Sequence, residues 1–159
     1  MFKPGDLVLC RGKGLFDRAV EDVTDSPYSH VAGIVSDRYV IEAQAFRKTG
    51  FQRLDYYSGQ DVYTCDALTD EQRIQIMDYA EAQIGTHYDY LLVLWEAARY
   101  ILHVVCPYVE RRRYICSTLW ADAYQVAGIE LCPGVKYPTP ADVAKSPLLR
   151  RCGLVQTSS

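Results

Sequence analysis

The sequence predicts an α+β fold, with strands in the first half of the chain and helices in the second. Short apolar runs rich in β-branched residues, separated by turn residues, occupy residues 5–67. After Thr69 the apolar residues recur at helical spacing instead. Strands followed by helices, rather than alternating with them, are typical of this class. A length of 159 residues without repeats or linkers fits one domain spanning residues 1–159.

The first half contains five predicted strands and one short predicted helix. The strands are "GDLVLC" (5–10), "HVAGIV" (30–35), "YVIEA" (39–43), "FQRLDYY" (51–57) and "DVYTCDA" (61–67). The second and third are joined by Ser36, Asp37 and Arg38, which is typical of a β-hairpin. Between the first two strands, "LFDRAVEDV" (15–23) has apolar residues at helix-like spacing and predicts a short helix.

The second half contains the longer predicted helices. The clearest begins at Thr69, whose partner Gln72 completes a capping-box pattern, and ends at Gly85. Its apolar residues at helical spacing are Ile74, Met77, Ala80 and Ile84. Further helices are predicted over residues 90–105, which Pro107 ends, over "YICSTLWADAYQVAG" (114–128), and after Thr139, where Pro140 and Asp142 suit a capped helix start.

Composition and charge exclude several classes of protein. Apolar residues make up 49% of the chain and charged residues 23%, as in folded globular proteins. A net charge of −3 gives no general attraction to phosphate, so no nucleic-acid partner is expected. The run "ERRR" (110–113) is either a solvated surface or a cationic rim for an anionic substrate. The N-terminal apolar run is too short for a signal peptide, so a cytoplasmic location is expected.

The most apolar segment, residues 90–105, is interrupted by Glu96, Arg99 and His103. A membrane span needs about 20 mostly apolar residues, so this segment predicts a core helix. Contact with a membrane surface is the alternative.

The six cysteines indicate neither a metal site nor a disulfide framework. They lie at positions 10, 65, 106, 116, 132 and 152, without a C-x-x-C pair. No metal and no cofactor are expected, and most of these thiols should be reduced and packed as small apolar side chains.

Cys116 is the candidate nucleophile because it lies where a short β-like stretch gives way to a predicted helix. A cysteine attacks as its thiolate, and free N–H groups at a helix N-terminus favour that anion. Ser117 or Thr118 is the expected N-cap of this helix. The same N–H groups would bind an oxyanion formed on a substrate. The alternative is a buried thiol that only fills space.

His30 is the candidate base, since a nucleophilic thiol needs an imidazole and the chain has three histidines. His30 stands at the entrance of a predicted strand, which can aim its ring. His87, in a turn after the clearest helix, and His103, in the apolar helix, fit structural or surface roles better.

Glu42 is the candidate residue to orient that imidazole. It is a carboxylate in an apolar run, where a charge is expected to be paired. If the hairpin turns through residues 36–38, Ala32 faces Glu42, and His30 lies one diagonal step away at roughly 7–8 Å between Cβ atoms. A two-residue loop would put His30 and Glu42 on opposite faces. Gln44 is the alternative orienting residue. The other interpretation is that Glu42 is a carboxylate on an edge strand with no role in a site.

The order of these motifs resembles a known superfamily. "GDLVL", "SHVAGIV", "VIEA", "YDY", "ICSTLWADAY" and "TPADVAKSPLL" follow one another as in the circularly permuted papain-like enzymes of the NlpC-type superfamily, in particular the YiiX/YebB-like amidase group. The resemblance extends from Gly5 to Leu149. It implies a permuted papain-like fold, with a small antiparallel sheet or partial barrel packed against helices.

The resemblance also implies roles for individual residues. The nucleophile of the family falls on Cys116, its base on His30 and its orienting residue on Glu42, while Tyr28 and Ser117 are expected to contact substrate. The implied activity is a cysteine amidase or peptidase of bacterial or phage context that acts on a peptide, a cell-wall muropeptide or a lipid amide.

Two alternatives remain at this point. One is an acyltransferase or esterase acting on lipids at a membrane surface, which Arg111–Arg113 would help to contact. The other is a non-catalytic module of the same fold that binds a peptide or lipid, because substrate does not follow from fold alone.

Overall fold

The computed structural model contains a six-stranded antiparallel sheet. It describes residues 2–12, 26–43, 48–88, 113–114 and 116–156. The strands of this sheet are β1 (Leu7–Cys10), β2 (His30–Ile34), β3 (Tyr39–Glu42), β4 (Gly50–Arg53), β5 (Asp61–Thr64) and β8 (Arg150–Leu154). Their order is β4-β3-β2-β1-β5-β8. Two further short strands, β6 (His87–Tyr88) and β7 (Arg113–Tyr114), form a separate parallel pair.

Helices lie mainly in the second half of the described chain. They are α1 (Asp70–Ala82), α2 (Cys116–Val126) and α3 (Pro140–Ala144), and a 3₁₀ turn spans Leu54–Tyr57. Together with the antiparallel sheet, they confirm the predicted α+β class. The helices predicted over 15–23 and 90–105, and Pro107, lie outside the described residues.

Three of the predicted signals at helix ends are confirmed. The side chain of Thr69 accepts a hydrogen bond from the backbone N–H of Gln72, and the side chain of Gln72 accepts one from the backbone of Thr69. Thr139 and Asp142 form the same reciprocal pair at α3. Gly128, with φ of 79°, follows α2 in the left-handed conformation that ends many helices.

The buried face of α1 differs from the predicted one. Ile76, Met77 and Ala80 are buried, whereas Ile74 is 60% exposed and Ile84 40% exposed. The face turned inward contains Arg73 instead, because this buried guanidinium donates to Asp6 and to the carbonyl oxygens of Pro4 and Cys65. The buried ion pair between Arg73 and Asp6 thus determines which face of α1 packs inward. This face differs from the one that apolar spacing alone predicted.

The fourth predicted strand was wrong in its second half. Residues 50–53 form β4, but the chain then turns into the 3₁₀ segment. Leu54 and Tyr57 are the buried residues of this segment. Three residues apart, they share one side of a 3₁₀ helix, whereas in a strand they would point to opposite faces. Burial of both apolar side chains therefore favours the turn.

The predicted hairpin is confirmed, including its register. β2 and β3 pair with Ala32 opposite Glu42, Gly33 opposite Ile41 and Ile34 opposite Val40. His30 and Glu42 therefore lie on the same face of the sheet, one diagonal step apart.

The two faces of the sheet pack against different parts of the chain. One face, with Leu7, Leu9, Val31 and Ile41, packs in a cluster with side chains of α1 and α2. The other face, with Val8, Ala32, Ile34 and Val40, packs against Leu54 and Tyr57 of the 3₁₀ turn. Such burial on both sides explains why β1 reads as a continuous apolar run.

Helix α2 lies directly on β2 at Gly33. A Cβ atom at this position would lie 2.1 Å from ring atoms of Trp120, a side chain of α2 that is completely buried. The missing side chain of Gly33 therefore lets the helix that begins at Cys116 approach the strand that begins at His30.

Strand β8 was not predicted from the sequence. It pairs with β5, and its residues are mostly exposed, so it lacks the apolar alternation that marks a strand. Among the described helices, none is long and apolar enough to cross a membrane.

Candidate active site

His30 and Glu42 form the first half of the site. His30 opens β2 and Glu42 closes β3, so both lie at the same end of the hairpin. The Nε2 atom of His30 lies 2.8 Å from Oε2 of Glu42. Glu42 is buried, with 4% of its surface exposed, as a paired carboxylate in an apolar run is expected to be. The sheet register thus brings together the histidine and the carboxylate that the sequence suggested.

Cys116 forms the other half. It is the first residue of α2 and is 4% exposed. Its sulfur and the His30 ring are hydrogen-bonded to each other. Since Nε2 of the ring faces Glu42, Nδ1 is the nitrogen left for the sulfur. The three side chains therefore form one line, with the imidazole in the middle.

The helix start lies two or three residues earlier than expected. We expected Ser117 or Thr118 to be the N-cap, but α2 begins at Cys116, so both lie inside its first turn. The first N–H groups of a helix have no partner within the helix. The backbone N–H groups of Ser117 and of Val31 on β2 point to the sulfur of Cys116 instead. Both stabilise the thiolate.

The electrostatics of the pair favour the charged form of both groups. Burial opposes charge, and by itself it raises the pKa of Cys116 and lowers the pKa of His30. The attraction and hydrogen bond between thiolate and imidazolium act the other way, and Glu42 adds to them on the side of His30. The pKa of Cys116 is therefore lower than its ordinary value, and the pKa of His30 is higher than its ordinary value.

Tyr57 is a neighbour of this line that sequence reasoning missed. Its hydroxyl group donates a hydrogen bond to Oε2 of Glu42, the oxygen that also faces His30. Its ring is nearly parallel to the His30 ring, with 6.2 Å between centroids and 21° between planes. No local motif marks Tyr57, because it reaches Glu42 only through the 3₁₀ turn that sequence reasoning took for a strand.

The two predicted substrate-binding side chains have partners inside the protein. The hydroxyl group of Ser117 is buried and donates to the carbonyl oxygen of Pro138 at 2.5 Å. The hydroxyl group of Tyr28, also buried, donates to Asp61 at 2.7 Å and contacts the hydroxyl group of Tyr63 at 3.1 Å. The group of Ser117 that faces the sulfur of Cys116 is thus its backbone N–H.

Asp61 is the centre of a second polar cluster that the sequence did not indicate. Its buried carboxylate accepts hydrogen bonds from Arg11 and Arg151 as well as from Tyr28. These residues come from four different parts of the chain: the ends of β1 and β5, the segment before β2, and β8. Through Asp61, the cluster links these four parts of the chain by side-chain hydrogen bonds near the start of β2.

Four other candidate residues lie outside the part of the chain that the structure describes: Gln44, His103, Arg111 and Arg112. The cysteines Cys10, Cys65, Cys116, Cys132 and Cys152 are not joined in disulfides. Cys10, Cys65 and Cys116 are buried as expected, whereas Cys132 is only partly buried and Cys152 is exposed.

Comparison with solved structures identifies the fold. The crystal structure of the metalloprotein YiiX from Escherichia coli O157:H7 superposes with a TM-score of 0.74 and 18% sequence identity, over 97% of this chain and 98% of that chain. The protein therefore shares the fold of YiiX, as the motif order suggested. No protein-family profile matches the chain, and no curated protein matches it significantly in sequence.

The term metalloprotein applies to YiiX, and the described residues of this chain do not suit a metal ion. They contain no group of three or more His, Cys, Asp and Glu residues placed to bind one. In the candidate site, the carboxylate of Glu42 and the thiol of Cys116 each pair with the imidazole of His30 instead.

Proposed function

We propose that this protein is a cysteine hydrolase that cleaves an amide bond, peptide or N-acyl, through an acyl-enzyme. The observation that carries the proposal is the line of hydrogen bonds from Cys116 through His30 to Glu42, with the sulfur at the start of a helix. A thiol, an imidazole and a third group that orients it are the parts that covalent catalysis by cysteine requires.

In the first step the thiolate of Cys116 attacks the carbonyl carbon, and the carbonyl oxygen becomes an oxyanion. The backbone N–H of Cys116 lies at the helix start, and a free N–H there is the kind of donor that binds such an oxyanion. As the tetrahedral intermediate collapses, the C–N bond breaks, and protonated His30 gives its proton to the leaving nitrogen. The products of this step are an amine and a thioester on Cys116.

In the second step water replaces the amine. His30, now neutral, takes a proton from the water molecule as its oxygen attacks the thioester carbon. The C–S bond then breaks, the carboxylic acid leaves, and the thiolate–imidazolium pair is restored. Glu42 holds the His30 ring through Nε2 in both steps and stabilises its positive charge.

The fold supports the same proposal. In the permuted papain-like arrangement of the NlpC-type superfamily, the strand with the histidine and the residue that orients it precede the helix with the cysteine. His30, Glu42 and Cys116 occur here in that order, and the fold is shared with YiiX. This support is fold-level analogy, whereas the chemistry rests on the three side chains themselves.

For the substrate we propose a peptide, a cell-wall muropeptide or a lipid amide, bound next to Cys116 and requiring no cofactor. Tyr28 lies two residues before His30 and is proposed to form part of the pocket wall through its ring, because its hydroxyl group is engaged by Asp61. Ser117 is proposed to contribute its backbone N–H, because its hydroxyl group is engaged by Pro138.

Acylation by p-nitrophenyl acetate tests the proposal without knowledge of the natural substrate. An activated thiolate should release p-nitrophenolate in a rapid burst of about one equivalent, followed by slower turnover. Mass mapping should find the acetyl group on Cys116, and His30→Ala should abolish the burst. Acetylation confined to the exposed Cys152, or a burst that persists in Cys116→Ala, would contradict the proposal.

A further inference from the structure

Backbone hydrogen bonds and burial hold Tyr57 in place beside Glu42 and His30. The 3₁₀ turn that carries it is anchored by the backbone N–H of Leu54, which donates to the carbonyl oxygen of Arg38 at 2.8 Å. On the other side, the carbonyl oxygen of Tyr57 accepts from the N–H of Gln60 at 3.0 Å. The side chain is 5% exposed and packs among apolar residues of the sheet. The fold around the 3₁₀ turn therefore fixes the position of Tyr57.

The contacts of Tyr57 are directed at the two side chains that prepare the nucleophile. Its hydroxyl group donates to Oε2 of Glu42, which lies 2.8 Å from Nε2 of His30, and its ring is nearly parallel to the His30 ring. The apolar cluster around it includes Ala32, Val40 and Leu54. Oε2 of Glu42 thus accepts from a neutral donor and faces the imidazole at the same time, in surroundings that are mostly apolar.

The charge of the reactive state explains what such a donor does. With Cys116 as thiolate, His30 as imidazolium and Glu42 as carboxylate, the line has a net charge of −1 in a buried place. An excess negative charge there is costly unless hydrogen-bond donors surround it. The N–H groups of Val31 and Ser117 serve the sulfur end. Tyr57 serves the carboxylate end.

The hydroxyl group of Tyr57 is a donor throughout the range in which proteins are studied. Burial raises the pKa of Tyr57 far above its ordinary value, and the neighbouring Glu42 raises it further. The other titratable groups that influence it are Cys10 on β1 and the adjacent Tyr56, and both also raise its pKa. None of these groups favours loss of the phenolic proton.

We propose that Tyr57 is a positioning residue of the active site, which holds Glu42 as an ionised acceptor for His30 and thereby favours the thiolate of Cys116. This inference rests on the proposed cysteine nucleophile. It adds a fourth side chain, on the opposite face of the sheet from α2, to the line of three.

The pH dependence of alkylation tests this role. Iodoacetamide reacts with the thiolate, so its rate at Cys116, followed by peptide mapping, rises with pH along the titration of that thiol. Tyr57→Phe keeps the ring and removes the donor. The midpoint of the profile should then rise by about one pH unit, as expected for the loss of one hydrogen bond to a charged group. The rate at high pH should stay within about two-fold of wild type.

Tyr124→Phe is the matched control. Its hydroxyl group is also buried and donates a hydrogen bond, at 2.7 Å, but the acceptor is the carbonyl oxygen of Gly5 in the core. The control should lose comparable stability with an unchanged midpoint. A midpoint in Tyr57→Phe equal to that of the wild type, or an equal rise in both variants, would overturn the role of Tyr57.

A second variant keeps the test decisive if Tyr57→Phe does not fold. Replacing Tyr57 by 3,5-difluorotyrosine makes the hydroxyl group a stronger donor, so the midpoint should fall instead of rising. An unchanged or raised midpoint would count against the proposal. Failure of the underlying nucleophile looks different: Cys116 would then react slowly in the wild type, and His30→Ala would have no effect.

Discussion

Gly33→Ala tests the contact that brings the two halves of the site together. The added Cβ would lie 2.1 Å from Trp120, whereas carbon atoms in contact normally lie about 3.5–4.0 Å apart. The ring, which is completely buried, or the strand must therefore retreat by about 1.5 Å. Overpacking of this kind typically costs 1–3 kcal/mol, and so severe an overlap indicates about 3 kcal/mol.

For a chain of this size, 1 kcal/mol corresponds to about 2–4 °C in Tm, so we expect Tm to fall by about 6–12 °C. Thermal and urea unfolding followed by circular dichroism measure the change. Gly50→Ala is the matched control, because the nearest atom to its added Cβ, the carbonyl oxygen of Lys48, lies 3.8 Å away. Tm of Gly33→Ala within about 1 °C of the control would refute the packing of α2 on β2.

Two further predictions concern Glu42 and Arg73. Glu42→Gln keeps the shape of the side chain but removes its charge, so alkylation of Cys116 at pH 6 should slow about ten-fold, equivalent to one pKa unit; an unchanged rate would show that the carboxylate charge is not needed. Arg73→Met leaves Asp6 buried without its cation and should lower the free energy of unfolding by about 3–5 kcal/mol in urea denaturation. Arg53→Met, at an exposed ion pair, is its control, and equal urea midpoints in the two variants would contradict the prediction.

Local signals predicted the parts of this protein that depend on short segments. A turn through residues 36–38 was one of two loop lengths considered; the structure has the register that this turn implies, with Glu42 beside His30. The capping boxes at Thr69 and Thr139 marked where two helices begin. Each of these inferences needs only neighbouring residues and the geometry of one element.

Contacts between distant segments were not predictable in the same way. Tyr57 reaches Glu42 only because the chain leaves the sheet after β4, and Asp61 accepts hydrogen bonds from the residue that follows β1, from β8 and from the segment before β2. The buried face of α1 follows from the pairing of Arg73 with Asp6, which no helical periodicity reveals. In each case a buried polar group takes a partner that is remote in sequence.

The reactivity of Cys116 at pH 6, before and after removal of His30, tests the central claim most directly. A free thiol has a pKa near 8.5 and is less than about 1% thiolate at this pH. Burial raises the pKa of both Cys132 and Cys152, to about 11 for Cys132, so these cysteines serve as internal references. In the wild type, iodoacetamide should label the nearly buried Cys116 faster than the exposed Cys152, and His30→Ala should slow Cys116 at least about ten-fold while leaving Cys152 unchanged. Slower labelling of Cys116 than of Cys152 in the wild type, or an equal rate at Cys116 in both proteins, would contradict an activated nucleophile.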